Sequence, residues 1–467
     1  MNISAEGKQW RILPIAALTC LALLLDIYSL NSKSLWGDEG FTLFMARISL
    51  RDFWHIAHRG EGNMVLYYAL LRLWLHFGHS EFLVRAFSAL WAVLTVPVAM
   101  ALARRLFGGK AAILSGLLLA LHPAEVYYAQ EARAYSFAVF MAAFSSWCFL
   151  RLLERKNSAS WVLYGLISVL AVYVHLFTIF VLFAQWISLL FLKAQPLSRR
   201  FLLLYATVFA VLIAPMALFV SRTYKAQVPW VSKTSPDGFI ALLQLLTLPK
   251  VGTLLYLAGW IAAAYAYYLH RRDDGWPYLF VAGWLVVPIL LTVIVSVHKP
   301  MLAPRFLLVC LPASVLLASA GFARLPRPYA AGAALLVALL SARSLASYYR
   351  NDKIKEDWRG ATRYVLSHSG PDDVVVVLPS YGRYTFDYYR DLSAGEAGGL
   401  REVDSIDSAT MLPAPRIWLV RFLGSDSISR EAILHQLDYQ SRGRYQLAQE
   451  QEFNGIEVLE VRSGGSP

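Results

Sequence analysis

The feature that most constrains this chain is a series of apolar stretches, each close in length to a lipid bilayer. A helix needs about 20 predominantly apolar residues to cross the hydrocarbon core. Stretches of that kind fall at 12–31, 81–103, 111–128, 134–153, 160–175, 176–194, 201–221, 251–270, 276–297, 303–321 and 328–347. The unbroken run 160–194 is read as two short helices divided near His175. Composition agrees, with 57% hydrophobic and only 16% charged residues, against roughly 25% charged in a soluble domain. The expected fold class is a mainly α, polytopic membrane protein with about eleven spans. The first apolar run, Leu13 to Leu30, is followed by no small-residue cleavage site, so it reads as a retained span and not a signal peptide.

Charge sets the expected orientation. Alternate connections carry Lys8 and Arg11, Arg104, Arg105 and Lys110, Arg155 and Lys156, Arg199 and Arg200, Arg271 and Arg272, then Arg324 and Arg327. Short cationic loops stay in the cytoplasm, which puts the C-terminus on the opposite side. The net charge of +12 is dispersed between apolar runs and forms no stripe, which argues against nucleic acid as a partner. Cys20, Cys148 and Cys310 all lie in apolar segments without paired or metal-ligand spacing.

Two organisational regions follow: a transmembrane module over 1–348, with a first outer loop at 32–80, and a soluble extracytoplasmic domain over 349–467. The outer loop carries amphipathic stretches from Leu50 to His58 and from Met64 to Phe77, suited to the membrane interface. A second outer loop, Arg222 to Lys250, holds Pro229, Pro236 and Pro249, which discourage regular structure. Beyond Tyr349 the pattern predicts a small α/β domain. Its strands are expected at 373–378, 416–422, 445–452 and 456–462, and its helices at 357–368, 384–390 and 429–439.

Polar groups gather at the outer ends of the spans, where charge is less costly than at membrane depth. Asp38 and Glu39 form an adjacent pair after the first span. They suit either a cap on the helix near Phe41 or a general base with a neighbour that orients substrate. A second cluster packs Glu125, Gln130, Glu131, Arg133 and Tyr135 into one short connection, as a polar hairpin or as a binding site. His175 is a lone histidine among apolar residues, either structural or substrate-facing. Lys299 and Arg305 flank the tenth span, where cations either snorkel or clamp a lipid-linked phosphate.

Six segments, in order and spacing, resemble one family: Leu35-Trp-Gly-Asp-Glu-Gly40, Leu66–Trp74, Tyr128–Ser136, Tyr173-Val-His-Leu-Phe177, Pro304-Arg-Phe306 and Lys355-Glu-Asp-Trp-Arg-Gly360. Together they are similar to bacterial members of the protein O-mannosyltransferase-like superfamily, glycosyltransferase family 39, of the GT-C membrane fold. The resemblance implies a multi-pass enzyme of the bacterial inner membrane. Its donor would be a polyprenyl-phosphate-linked sugar, and its acceptor an envelope lipid, glycan or protein on the non-cytoplasmic face. It implies Asp38 as catalytic base with Glu39 beside it, Arg305 on the donor phosphate, and Arg133 in support. Glu131, Tyr135, His175 and Lys299 complete the expected substrate contacts. No cofactor is obligatory for a monophosphate donor; a divalent metal ion remains an option, with Glu39, Glu131 or His175 as its supports. The chain departs from many relatives at Gly62-Asn-Met-Val65, where they carry His-Pro-Pro, and at Phe306, where they carry Tyr. The competing class is a transporter or lipid flippase, but such proteins place polar groups near the bilayer midplane on broken or repeated helices.

Overall fold

A computed structural model describes residues 12–57, 62–192, 197–223, 235–271, 275–393, 400–424 and 429–464. Lys8, Arg11, His58, Pro229 and Arg272 lie outside the described residues. The chain divides into two compact units, one of Met1–Tyr28, Ser49–Gly78 and Leu83–Tyr348, the other of Ser29–Ile48, His79–Phe82 and Tyr349–Pro467. The second unit therefore takes in the Asp38-Glu39 segment along with the C-terminal region.

Among the described residues, each apolar stretch read from the sequence contains a helix of the first unit. Six helices among the described residues are long and apolar enough to span a membrane: Glu81–Phe107, Tyr135–Arg155, Arg199–Phe219, Trp276–Ser296, Pro304–Arg324 and Arg327–Arg350. Two bent pairs raise the number to eight if each crosses as one: Gly109–Ala120 with Pro123–Ala129 at 54°, and Pro236–Leu246 with Val251–His270 at 75°. The helices Ile12–Ile27, Ser158–Val174 and Thr178–Phe191 occupy three further expected stretches but are shorter, so the described residues hold six to eight helices of spanning length where about eleven spans were expected. The break at His175 falls where the sequence placed it. His175 caps one helix, and its imidazole Nδ1 accepts from the Phe177 amide at 3.3 Å.

One expectation is corrected here. Pro236 does not prevent structure in the Arg222–Lys250 connection; it opens the helix Pro236–Leu246, with the Ser235 hydroxyl capping the Gly238 amide at 3.2 Å. Proline at a first helical position gives up an N–H that has no intrahelical partner anyway.

Outward-facing leucines and isoleucines, such as Leu203, Leu254, Ile261, Leu290, Ile294 and Leu339, give this unit an apolar exterior. Inside, polar side chains join helices. Gln185 accepts from Tyr164 at 2.7 Å and donates to Ser145 and Ser146 at 3.0 and 3.1 Å. In hydrocarbon such groups are satisfied only by each other. The Val251–His270 and Leu311–Arg324 helices cross at a pair of glycines. A Cβ on Gly321 would lie 1.9 Å from the Gly259 carbonyl oxygen.

In the second unit, five strands form one sheet in the order β2-β1-β3-β5-β4. They are β1 Val374–Leu378, β2 Arg401–Val403, β3 Arg416–Phe422, β4 Tyr445–Phe453 and β5 Ile456–Ser463. β1 runs parallel to β2 and β3, while β5 is antiparallel to β3 and β4. All five residues of β1 are buried, as a run of four valines and a leucine suggests. The helices Trp358–His368, Arg383–Leu392 and Arg430–Ser441 belong to this unit.

The glycine crossing yields a direct expectation. Gly321→Ala should destabilise by about 1–3 kcal/mol through overpacking, read as a lowered unfolding midpoint in detergent. Gly283→Ala, where the added carbon meets nothing within 4 Å, is the matched control. Equal midpoints for the two variants would contradict the close crossing.

Candidate functional site

The Asp38-Glu39 pair opens the helix Gly37–Arg47, where first-turn acids complement the helix dipole. The two carboxylates have different surroundings. Glu39 is wholly buried. Its Oε2 accepts from Lys355 Nζ at 3.1 Å and from the Trp36 amide at 3.3 Å. The Lys355 side chain is buried as well, so the pair is an internal ion pair within the second unit. Asp38 is half-buried, and the Tyr381 hydroxyl donates to its Oδ1. Burial separates the ion-paired Glu39 carboxylate from the accessible Asp38 carboxylate.

The Lys355–Gly360 segment supplies the supports. Glu356 Oε2 accepts from the Gly37 amide and from Trp358 Nε1, each at 3.0 Å. Burial raises the Glu356 carboxyl above its usual range, and Asp38 and Glu39 nearby push the same way. Asp357 caps its own helix on the Gly360 amide at 2.9 Å. Arg359 pairs with Glu81 and donates to the carbonyls of Asn31 and Lys33 at 3.0 and 3.3 Å. Tyr389 adds a hydroxyl that accepts from the Leu35 amide at 2.6 Å. Gly40 lets the Gly37–Arg47 helix approach Thr385, whose Oγ1 would lie 2.0 Å from an added Cβ. Neither Tyr381 nor Tyr389 stood out in the sequence, because nothing local marks a tyrosine that serves a loop several hundred residues away.

In the first unit the Tyr128–Ser136 segment, His175 and Arg305 come together. The Arg133 guanidinium lies 6.0 Å from the Tyr135 ring centre. Tyr135 is 5.8 Å from the His175 ring and 5.1 Å from Tyr128. His175 is 5.8 Å from Phe306, the neighbour of Arg305. Tyr128 is within electrostatic reach of both Glu131 and Arg305, and His175 is within reach of Arg133. His175 Nε2 is buried with no hydrogen-bond partner among the described residues. Lys299 is half-buried, its amide on the Val295 carbonyl at 3.2 Å just past the helix Trp276–Ser296.

Gln130, from the same segment, has a different task. Its Nε2 donates to the carbonyls of Asp26 and Tyr28 at 3.0 and 2.8 Å, and its Oε1 accepts from Tyr348 at 3.1 Å. It thus satisfies carbonyls at the end of the first helix that have no intrahelical partner. No three His, Cys, Asp or Glu side chains among the described residues are placed to hold a metal ion. A divalent ion does not fit the Glu39 carboxylate, since Lys355 already supplies its positive partner.

Solved structures share this architecture end to end. ArnT from Cupriavidus metallidurans bound to undecaprenyl phosphate superposes with a TM-score of 0.60 at 16% identity, covering 98% of each chain. The chain has the GT-C membrane fold. The Archaeoglobus fulgidus oligosaccharyltransferase in its apo form matches this GT-C chain with a TM-score of 0.57 at 12% identity, covering 95% of it and 70% of the archaeal protein. The oligosaccharyltransferase AglB from Archaeoglobus fulgidus, in complex with an inhibitory peptide and a dolichol-phosphate, gives 0.51 at 10% identity, with 98% and 74% covered. Residues 64–219 match the family described as dolichyl-phosphate-mannose-protein mannosyltransferase. Over those residues the match agrees with the resemblance to the protein O-mannosyltransferase-like superfamily, and the solved structures bear out the GT-C fold. No curated protein matches the chain in sequence.

The Lys355–Glu39 pair carries a stability expectation. Lys355→Met leaves a buried carboxylate without its cation and should cost about 3–5 kcal/mol. Adding Glu39→Gln to Lys355→Met should recover much of that loss. Thermal unfolding of both variants, followed by limited proteolysis of the second unit, checks it; an unchanged midpoint for the single variant would refute the role given to the pair.

Proposed function

We propose that the chain is a membrane glycosyltransferase. It moves a sugar from a polyprenyl-phosphate-linked donor to an envelope acceptor on the non-cytoplasmic face, with Asp38 as general base. The observation that carries this reading is the half-buried Asp38 carboxylate, oriented by the Tyr381 hydroxyl on a helix start that Lys355, Glu356 and Arg359 hold in place. A catalytic base needs a fixed direction and access to the acceptor's proton, and Asp38 has the means for both. The undecaprenyl phosphate in the ArnT structure and the dolichol-phosphate in the AglB structure support a lipid-phosphate donor. The cationic connections support an extracytoplasmic C-terminal region.

In this reaction the acceptor oxygen or nitrogen attacks the anomeric carbon as the bond from that carbon to the phosphate oxygen breaks. The acceptor's proton passes to Asp38, and the polyprenyl phosphate leaves with one more negative charge. Arg305 and Arg133 are the groups to meet that charge, and a planar guanidinium matches phosphate oxygens two at a time. Glu131 holds the cations in register, Tyr135 and His175 present an aromatic wall and a buried ring nitrogen to the sugar, and Lys299 adds positive charge on the donor side. Glu39 acts as a positioning residue, through Lys355 and the Trp36 amide. The transporter reading lacks a task for an accessible carboxylate held this firmly.

Two substitutions test the roles. Asp38→Asn keeps shape and removes the proton acceptor, so transfer should fall by at least about 100-fold while donor binding persists; near-normal turnover in a folded Asp38→Asn protein would take the role from this residue. Arg305→Lys preserves charge but not the two-pronged geometry, so donor affinity and rate should both decline. Activity equal to the parent would mean that Arg305 merely reaches to the membrane interface.

A further inference from the structure

The second unit holds an open groove of about 810 Å³, lined on one side by Phe44 and Arg47 and on the other by Ser380, Arg383, Tyr384 and Asp387. That volume falls within the roughly 300–1,000 Å³ of small-ligand clefts. We propose that this groove, between the Gly37–Arg47 and Arg383–Leu392 helices, is the acceptor subsite, and that it takes an uncharged, polyhydroxylated glycan and not a phosphorylated acceptor. The inference rests on the glycosyltransferase reading and specifies its acceptor.

Three observations lead there. First, the groove lies beside the residues that hold the base. Ser380 lines it, the next residue is Tyr381, and Tyr381 donates to Asp38 Oδ1. Phe41 packs on both Tyr381 and Tyr384, with ring centres 6.0 and 5.3 Å apart. Asp38 and Phe44 are six residues apart on one helix, about 9 Å along its axis. Second, the walls are aromatic. Phe44 and Tyr384 lie 4.3 Å apart at 35°, a broad apolar surface for the C–H face of a sugar ring, with tyrosine hydroxyls at its edge.

Third, the charges in the groove are already matched. Arg47 pairs with Asp391 at 3.4 Å. Arg383 pairs with Glu402 at 2.5 Å and with Asp404. Arg390 pairs with Asp387 at 2.6 Å and with Glu402. Burial, then the hydrogen bond and the charge of Asp387, push the Glu402 carboxyl up to about 7, so near neutrality this network also holds part of a proton. Three guanidiniums facing four carboxylates, one of them partly protonated, leave no net positive field. A phosphate would have to displace a carboxylate from an arginine and sit among the rest. A neutral sugar instead finds fixed, bidentate donors and acceptors that need no displacement.

The test uses full-length protein in nanodiscs, with radiolabelled polyprenyl-phosphate sugar drawn from host membranes. The acceptors are host envelope glycans divided by anion exchange into unretained neutral and retained phosphate-bearing pools. Label is expected in the neutral pool. Tyr384→Ala should raise the apparent acceptor KM at least 10-fold with the donor KM unmoved. Ser380→Trp, which fills the groove from an exposed position without removing core packing, should do the same. Label confined to the phosphate-bearing pool, or an unchanged acceptor KM in a folded Ser380→Trp protein, overturns the proposal. Consumption of donor by neither pool nor water overturns the glycosyltransferase reading itself, an outcome distinct from transfer to the wrong pool.

Discussion

The ion pair between Lys355 and Glu39 is the contact on which the placement of the candidate base depends. Two charges withdrawn from water are each costly, and only their mutual attraction and added hydrogen bonds offset that cost. Here the offset joins residues 316 positions apart, so the acidic segment has its shape only when the C-terminal region is folded against it. The neighbours of Lys355 extend the same dependence. Glu356 takes the Gly37 amide, and Arg359 gathers the carbonyls that precede Leu35. Such pairs are weak evidence for stability, since an apolar pair of equal volume often serves as well. Their use here is to fix the direction of one helix start, which an apolar pair would leave less defined.

That constraint also separates two residues that look alike in sequence. Asp38 and Glu39 are adjacent carboxylates on a helix, about 100° apart around its axis. One angle points Glu39 into the interior at Lys355, and the other leaves Asp38 beside Tyr381. A similar division runs through the Tyr128–Ser136 segment. Gln130 turns towards the carbonyls at the end of the first helix and becomes a latch, while Arg133 and Tyr135 turn towards His175. Polar residues packed into a short connection are therefore not one site; alternate faces of the turn have structural and chemical work.

What was legible in the sequence follows from the range of the interactions that decide each feature. The apolar stretches were legible because each span satisfies its own backbone, so its signal is local. The break at His175 was visible for the same reason, and so was β1, whose run of valines declares burial. The edge strand β2 was not, because its three residues are charged or half-buried and owe their conformation to pairing with Val374–Val376. The helix Pro236–Leu246 was missed by counting prolines without asking where each falls; behind Ser235, Pro236 is a starting residue. Asp38 stood out as a candidate, but Tyr381 did not, since a tyrosine after Pro379-Ser380 carries no sign of a carboxylate 343 residues away.

The two chemical tasks assigned to this chain call for different solvents, and its two units offer them. Proton transfer from an acceptor hydroxyl is served by a carboxylate that keeps contact with water, since burial raises the cost of its charged form; Asp38 is half-buried, in contrast to Glu39. Stabilising charge on a departing phosphate works best where the surroundings are least polarisable by water, because the same charge then acts more strongly. Arg133 and Arg305 are half-buried among Tyr135, His175 and Phe306 in an apolar bundle. A fixed cation there needs no reorganisation as the phosphate's charge grows, whereas a cation in water would already be screened. The Tyr135 ring beneath Arg133 is one aromatic face that offsets the loss of hydration there. The proposed donor, a lipid-borne monophosphate, would arrive from the hydrocarbon side and bring the countercharge with it.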